Sequence, residues 1–162
     1  MRAVGGLSLL ALFLVAGVIP ALAQTIGGAG APPVAAEQWQ LTRAYGLAAY
    51  GGGDYVLAAD QLERALRFAE TYGSHDFRRP ISLVSLAEVY RADGRFAEAE
   101  PMLVRALDLW SVIMAGDHPT MIPALQVYAR LLRQTGRPDE AAALAAREAE
   151  IRRTLDSVAD GG

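Results

Sequence analysis

The sequence predicts an all-α protein, an α-solenoid of three helix pairs. Apolar residues recur at spacings of three and four over residues 37–156, which places them on one face of each helix. The chain also matches itself at a fixed distance, because Gly53, Gly94 and Gly136 hold equivalent positions 41 and 42 residues apart. No segment alternates apolar and polar residues with β-branched enrichment, so no strand is predicted.

Six helices follow from this repeat, at about 37–51, 54–71, 80–93, 96–113, 120–135 and 138–156. Gly53, Gly94 and Gly136 stand where the first helix of each pair must end, because glycine adopts the left-handed conformation without Cβ strain. Pro138 suits the first turn of the last helix, with acidic residues at its positive end.

Small residues occupy matching columns in the two helices of each pair, which predicts close helix–helix contact. A bulky residue at Ala99 is expected to overpack that contact. The small residues are Gly46, Ala87 and Ala129 on the first helices and Ala58, Ala99 and Ala141 on the second.

The middle unit carries a family resemblance. It resembles the tetratricopeptide repeat in the pattern Leu83-x-x-Leu86-Ala87-x-x-Tyr90 followed by Ala99-x-x-x-Leu103. The repeat length of 41–42 residues and the string Gly-Arg-Phe-Ala-Glu-Ala-Glu-Pro (94–101) are similar to the kinesin-light-chain type of this repeat. The resemblance implies a right-handed solenoid with units at about 37–78, 79–119 and 120–156. Charged residues in the last helix, including Arg152 and Arg153, indicate a solvated cap and an array of three repeats.

The N-terminus reads as an export signal. Residues 1–23 have the pattern of a secretory signal peptide: a basic start at Met1-Arg2, an apolar run over Leu7–Ile19, and small residues in Ala21-Leu22-Ala23. Cleavage after Ala23 changes the formal net charge from −3 to −4. The pattern predicts an exported protein, located in the bacterial periplasm, whose mature chain has no membrane span. An uncleaved leader that anchors the chain is the alternative. Residues 24–36 are predicted to be a flexible linker, and 157–162 a disordered tail.

Composition excludes several chemistries. The chain has no Cys, which removes disulfides, thiolate zinc sites and cysteine nucleophiles, and its two His leave little for a metal centre. Gly51-Gly52-Gly53 lacks the Lys and Ser/Thr of a phosphate loop and reads as a turn. His75 and His118 lie beside acidic residues in the inter-repeat loops, where a connector role outweighs a metal or acid–base role. No enzyme activity, cofactor or metal is expected.

Nucleic acid is not expected as a ligand, because the acidic chain interleaves its 15 Arg with 18 carboxylates. The carboxylate clamp by which some tetratricopeptide repeats bind chaperone tails uses Lys and Asn, and this chain has neither. The partner is therefore expected to be another protein or peptide.

The resemblance implies that the first helix of each pair lines a concave groove. Arg side chains there are suited to bidentate pairing with acidic groups or a C-terminal carboxylate, although the favoured alternative is that they are merely solvated. The candidate groove residues are Gln40, Arg43, Leu47, Tyr50, Val84, Glu88, Arg91, Gln126, Arg130 and Arg133.

Three functions remain open. The first is a non-catalytic adaptor that binds a segment of another envelope protein in the groove. The second is an accessory or regulatory subunit of an envelope enzyme. The third is self-association as a homodimer through an outward face around Trp39 and Tyr45.

Overall fold

The computed structural model describes residues 33–160, and this range contains helices and no strand. The all-α, three-pair prediction is confirmed. A short 3₁₀ turn, Pro119–Met121, precedes the fifth helix. The helices are α1 (Pro33–Gly51), α2 (Tyr55–Glu70), α3 (Arg78–Ala92), α4 (Phe96–Met114), α5 (Ile122–Gln134) and α6 (Pro138–Asp160). The predicted signal peptide and residues 24–32 of the predicted linker lie outside the described residues.

The first and last helices are longer than the sequence predicts. Helix α1 begins at Pro33, inside the segment expected to be a linker, because proline is tolerated in the first turn and Ala35 is already buried. Helix α6 continues to Asp160, into the segment expected to be a tail. The last buried residue of α6 is Ile151, 4% exposed, in the same cluster as Trp110 of α4, and residues 152–157 are exposed.

The turns within the pairs have the predicted glycine conformation. Gly53, Gly94 and Gly136 have φ of 79°, 79° and 76°, the left-handed region in which a Cβ is strained. In the second turn the Arg95 guanidinium donates to Glu98 three residues later, with Nε–Oε2 at 2.9 Å. In the third turn Arg137 and Glu140 form the equivalent pair. In the first turn Asp54 caps the start of α2 instead. The Gly-rich segment is therefore a helix–helix turn, as predicted.

Close contact between paired helices is clearest at Gly46. A Cβ on Gly46 would lie 2.6 Å from Cγ of Leu62 and 3.2 Å from the carbonyl oxygen of Ala58. Neither distance is tolerated without a shift of α1 or α2. The alanines of the predicted small-residue columns are all buried, which confirms the prediction for the other pairs.

Successive pairs stack through the second helix of one and the first helix of the next. Leu62, Leu86, Leu103 and Leu131 are fully buried in one cluster that runs through the array. At its edge the Tyr90 hydroxyl donates to Glu63 at 2.6 Å, tying α3 to α2. Burial and this hydrogen bond raise the pKa of Tyr90 to about 12. Tyr128 of α5 is tied to α4 in the same way.

The position of Trp39 differs from the prediction. Trp39 was expected on an outward face, but it is 7% exposed and packs against Ala65 and Ala69 of α2. Its indole Nε1 donates to Oγ of Ser82 at 2.8 Å, so the ring turns inward because α3 offers both an acceptor and apolar contact. Tyr45 is 67% exposed and does face outward.

Ala99→Leu tests the small-residue contact. Ala99 is fully buried, so the added atoms must displace a neighbouring helix, and we expect a loss of about 1–3 kcal/mol in the free energy of unfolding. Urea denaturation followed by circular dichroism measures it. Ala97→Leu on the exposed side of α4 is the matched control. Equal stability of the two variants would contradict the close-packing account.

Candidate functional site

Two rows of equivalent residues cross α1, α3 and α5, the first helices of the three pairs. In repeat register Leu47 aligns with Glu88 and Arg130, and Tyr50 aligns with Arg91 and Arg133. Because α3 contacts both α1 and α5, these rows form a continuous surface, which we call the first-helix surface. It is the surface that the sequence identified as a groove.

Glu88 is the centre of this surface. Its carboxylate accepts from the Tyr50 hydroxyl at 3.1 Å, from Nε of Arg91 at 2.8 Å and from Nη2 of Arg130 at 3.2 Å. The three donors come from α1, α3 and α5. A single carboxylate therefore links all three helix pairs.

The electrostatics of Glu88 follow from these partners. Its side chain is 19% exposed, and burial acts to raise its pKa. Hydrogen bonds from Arg91 and the charges of Arg130 and Arg91 outweigh burial and hold the pKa of Glu88 below its ordinary value. Burial, followed by the Glu88 charge, raises the pKa of Tyr50. The carboxylate is thus ionised and the phenol neutral near pH 7.

Gln134 joins the network, although sequence reasoning did not name it. Nη1 of Arg91 donates to Oε1 of Gln134 at 2.6 Å, across from α3 to α5. Its place four residues after Arg130 puts it on the same helical face, and that spacing is the signal that identifies it. Arg133, between them, is exposed, and no carboxylate among the described residues pairs with it.

The other candidates lie apart from the network. Gln126 donates to Glu148 of α6 at 2.8 Å, and Val84 packs against the core. Arg43 is half-buried, with its guanidinium carbon 5.7 Å from the centroid of the Trp39 ring. Gln40 is exposed and Leu47 is 38% exposed. The structure brings Tyr50, Glu88, Arg91 and Arg130 together, and these four form the candidate site.

The inter-repeat histidines have local contacts. Nδ1 of His118 accepts from the backbone N–H of Thr120 at 3.3 Å and caps the 3₁₀ turn, while the neighbouring Asp117 pairs with Arg147 of α6. His75 is exposed and contacts Ser74. Among the described residues, no three His, Asp or Glu side chains are placed to hold a metal ion.

Helix pairs joined by left-handed glycine turns and packed through small residues define a tetratricopeptide-repeat-like α-solenoid. The tetratricopeptide repeat family model matches residues 78–154, from the start of α3 into α6. Tetratricopeptide repeats generally mediate protein–protein interaction, and the fold is typically a non-catalytic scaffold. Within the part of the chain that the structure describes, no helix combines the length and apolar character needed to cross a membrane.

A solved structure is similar to this chain, that of the nearly identical tetratricopeptide-like repeats of a kinesin light chain from Podospora anserina. The two share 26% sequence identity with a TM-score of 0.60 over 77% of this chain. The match spans 58% of the length of the solved chain. A comparison with functionally curated proteins found no match.

Glu88→Gln tests the central role of this carboxylate. The folded-state pKa of Glu88 is lowered, so its ionised form stabilises the fold above the ordinary value of 4.5, and that contribution is lost as pH falls through the lowered pKa. We expect a loss of about 1 kcal/mol at pH 7, which shrinks as pH is lowered below 4.5. Urea denaturation at several pH values measures it.

Glu150→Gln is the matched control, because Glu150 is 62% exposed and pairs only with Arg153 on its own helix. Its stability is expected to equal that of the parent chain at every pH. A Glu88→Gln variant whose loss is the same at pH 7 and at pH 3 would contradict the electrostatic account.

Proposed function

We propose that the chain is a non-catalytic interaction module whose first-helix surface binds a carboxylate-bearing segment of a partner protein. The observation that carries the proposal is the Glu88 network. Glu88 holds Arg130 in place before any ligand arrives, so less side-chain entropy is lost when a partner pairs with this guanidinium group.

The charge of the surface favours an acidic segment. The first-helix surface contains three arginines, Arg91, Arg130 and Arg133, and one carboxylate, Glu88, which pairs with the first two. The surface is therefore locally cationic on a chain whose formal net charge is −3. A guanidinium group pairs bidentately with a carboxylate, which suits acidic side chains and a C-terminal carboxylate alike.

The accessible parts of the surface differ along the array. Arg91 is 12% exposed and mainly structural, whereas Arg130 is 45% exposed and Arg133 is exposed and has no ion-pair partner among the described residues. The third unit therefore supplies the charge contacts. In the first unit Leu47 and Tyr50 offer an apolar side-chain contact for the other end of the segment.

We also propose that the protein is exported. The support is the sequence of residues 1–23, with its basic start, apolar run and Ala-Leu-Ala end. Export places the partner among proteins of the cell envelope. The function as an accessory subunit of an envelope enzyme is a special case of the same module, in which the bound segment belongs to an enzyme.

Charge reversal at Arg133 tests the binding surface. The partner is first identified by crosslinking and mass spectrometry in the cells that make the protein. Arg133→Glu is expected to weaken binding of the identified segment at least about tenfold, because it replaces a charge-assisted pair by repulsion. Calorimetric titration measures this.

Arg105→Glu, at an arginine of α4 that is also exposed, is the control and should leave the affinity unchanged. Equal affinity of the Arg133→Glu variant and the parent chain would rule out this surface. If the crosslinked partner is an enzyme whose rate changes on binding, the module acts as a regulatory subunit.

The export proposal has its own measurement. Intact-mass spectrometry of the protein from fractionated cells is expected to give a chain that begins at Gln24, recovered with the exported fraction. Replacing Ala21 and Ala23 by Phe should block cleavage, because signal peptidase requires small residues there. A full-length chain from Met1 in the cytosolic fraction would contradict export.

A further inference from the structure

The outward face of α1 is apolar and uncovered. Val34, Leu41 and Tyr45 are 56%, 52% and 67% exposed, and Ala48 is exposed beside them. Spacings of seven, four and three put all four on one stripe of the helix. We call this stripe the α1 face. It is separate from the first-helix surface that contains Glu88.

The equivalent face is buried in the other two pairs. Position 41 corresponds to Ser82 and Ala124, both fully buried, and position 45 to Leu86, 1% exposed, and Tyr128, half-buried. The equivalents of Val34 lie before the helices and are exposed, so the comparison holds for positions 41, 45 and 48. In those pairs the covering element is the preceding helix pair, because α2 packs on α3 and α4 packs on α5. The α1 face is thus a stacking face of the array to which no other described helix is docked.

The shape of the α1 face suits a helix. Glu37, Gln40, Leu41 and Ala44, at positions i, i+3, i+4 and i+7, border a shallow, open depression on the surface of α1. Four residues at these spacings form the hole that receives a knob side chain in helix–helix packing. A second open depression lies next to Tyr45 between α1 and α2.

The opposite end of the array does not complement this face. Helix α4 holds α5 through Leu107 and Trp110. The equivalent residues of α6 are Ala149 and Arg152, both exposed, so α6 offers little apolar surface. Head-to-tail stacking of copies is therefore unfavourable, whereas the α1 face of a second copy presents the same exposed apolar side chains, Val34, Leu41 and Tyr45.

Charge also favours an antiparallel pairing of two α1 helices. Glu37 is the one charged side chain along the stripe, four residues before Leu41, and Tyr45 lies four residues after it. When the two-fold axis passes at Leu41, each Glu37 lies beside the Tyr45 hydroxyl of the other copy. A phenol donates to a carboxylate, and no two carboxylates meet.

We propose that two copies of this chain associate through their α1 faces, antiparallel about a two-fold axis at Leu41. The contact is isologous, so it closes at a dimer. The second copy covers the face of α1 that corresponds to the faces of α3 and α5 covered by the preceding helix pair. The first-helix surfaces of both copies stay accessible. The dimer would carry two copies of the partner-binding surface on one particle.

Sedimentation velocity over a hundredfold range of concentration tests the proposal on the protein recovered from the cells that make it, with its N-terminus read by mass spectrometry. The parent chain is expected to sediment as a dimer at the higher concentrations. Leu41→Glu should sediment as a monomer at all of them, with an unchanged circular dichroism spectrum. Val112→Glu, at a 63% exposed valine of α4, is the matched control and should remain a dimer.

A thiol at the axis gives a second measurement. Because the chain contains no Cys, Leu41→Cys introduces a single thiol, and mild oxidation should convert most of the protein to a covalent dimer. Val112→Cys should crosslink at least tenfold more slowly. Any one of three results overturns the proposal: a parent chain that is monomeric at every concentration, a dimer that Leu41→Glu leaves intact, or equal crosslinking of the two Cys variants. This holds even if the α1 face binds a different protein.

Discussion

The close contact between the two helices of each pair is the constraint on which the rest of the structure depends. At Gly46 the contact leaves no room for a methyl group, and the other pairs use buried alanines in the same columns. Since each first helix is held at one distance from its partner, α1, α3 and α5 are placed side by side at regular intervals. The Glu88 network exists because those intervals bring side chains of three units within hydrogen-bond distance.

The features that the sequence predicts well are those encoded locally and repeated. A glycine with positive φ, or an alanine at a helix crossing, is needed by its own turn or pair, so it recurs at 41 or 42 residues and is visible as a pattern. Trp39 and Gln126 are different. Their orientation depends on Ser82 and Glu148, which lie 43 and 22 residues away and belong to single positions of the array. Periodicity carries no information on such unique partners, and helical phase alone therefore placed both side chains on the outside.

The candidate site was predictable as a face of the molecule but not as a network. Helical phase identified the rows containing Tyr50, Glu88 and Arg130. It gave no reason for a carboxylate in the second unit to hold an arginine of the third. That role follows from burial, which leaves Glu88 only 19% exposed and requires cationic partners for it. The side chains in these rows also differ along the array, from Leu47 and Tyr50 in the first unit to Arg130 and Arg133 in the third. The two ends of the surface are therefore chemically different, one mainly apolar and the other cationic.

The division of the Glu88 contacts among three units has a consequence for local unfolding. In a solenoid each unit contacts its neighbours only, so the terminal pairs open more readily than the middle one. Fraying of the first pair removes the Tyr50 contact, and fraying of the third removes Arg130 and Gln134. The network is then dismantled while the middle pair is still folded. The complete first-helix surface is thus present only in molecules in which all three helix pairs are folded. The fraction of such molecules is set by the less stable of the two terminal pairs.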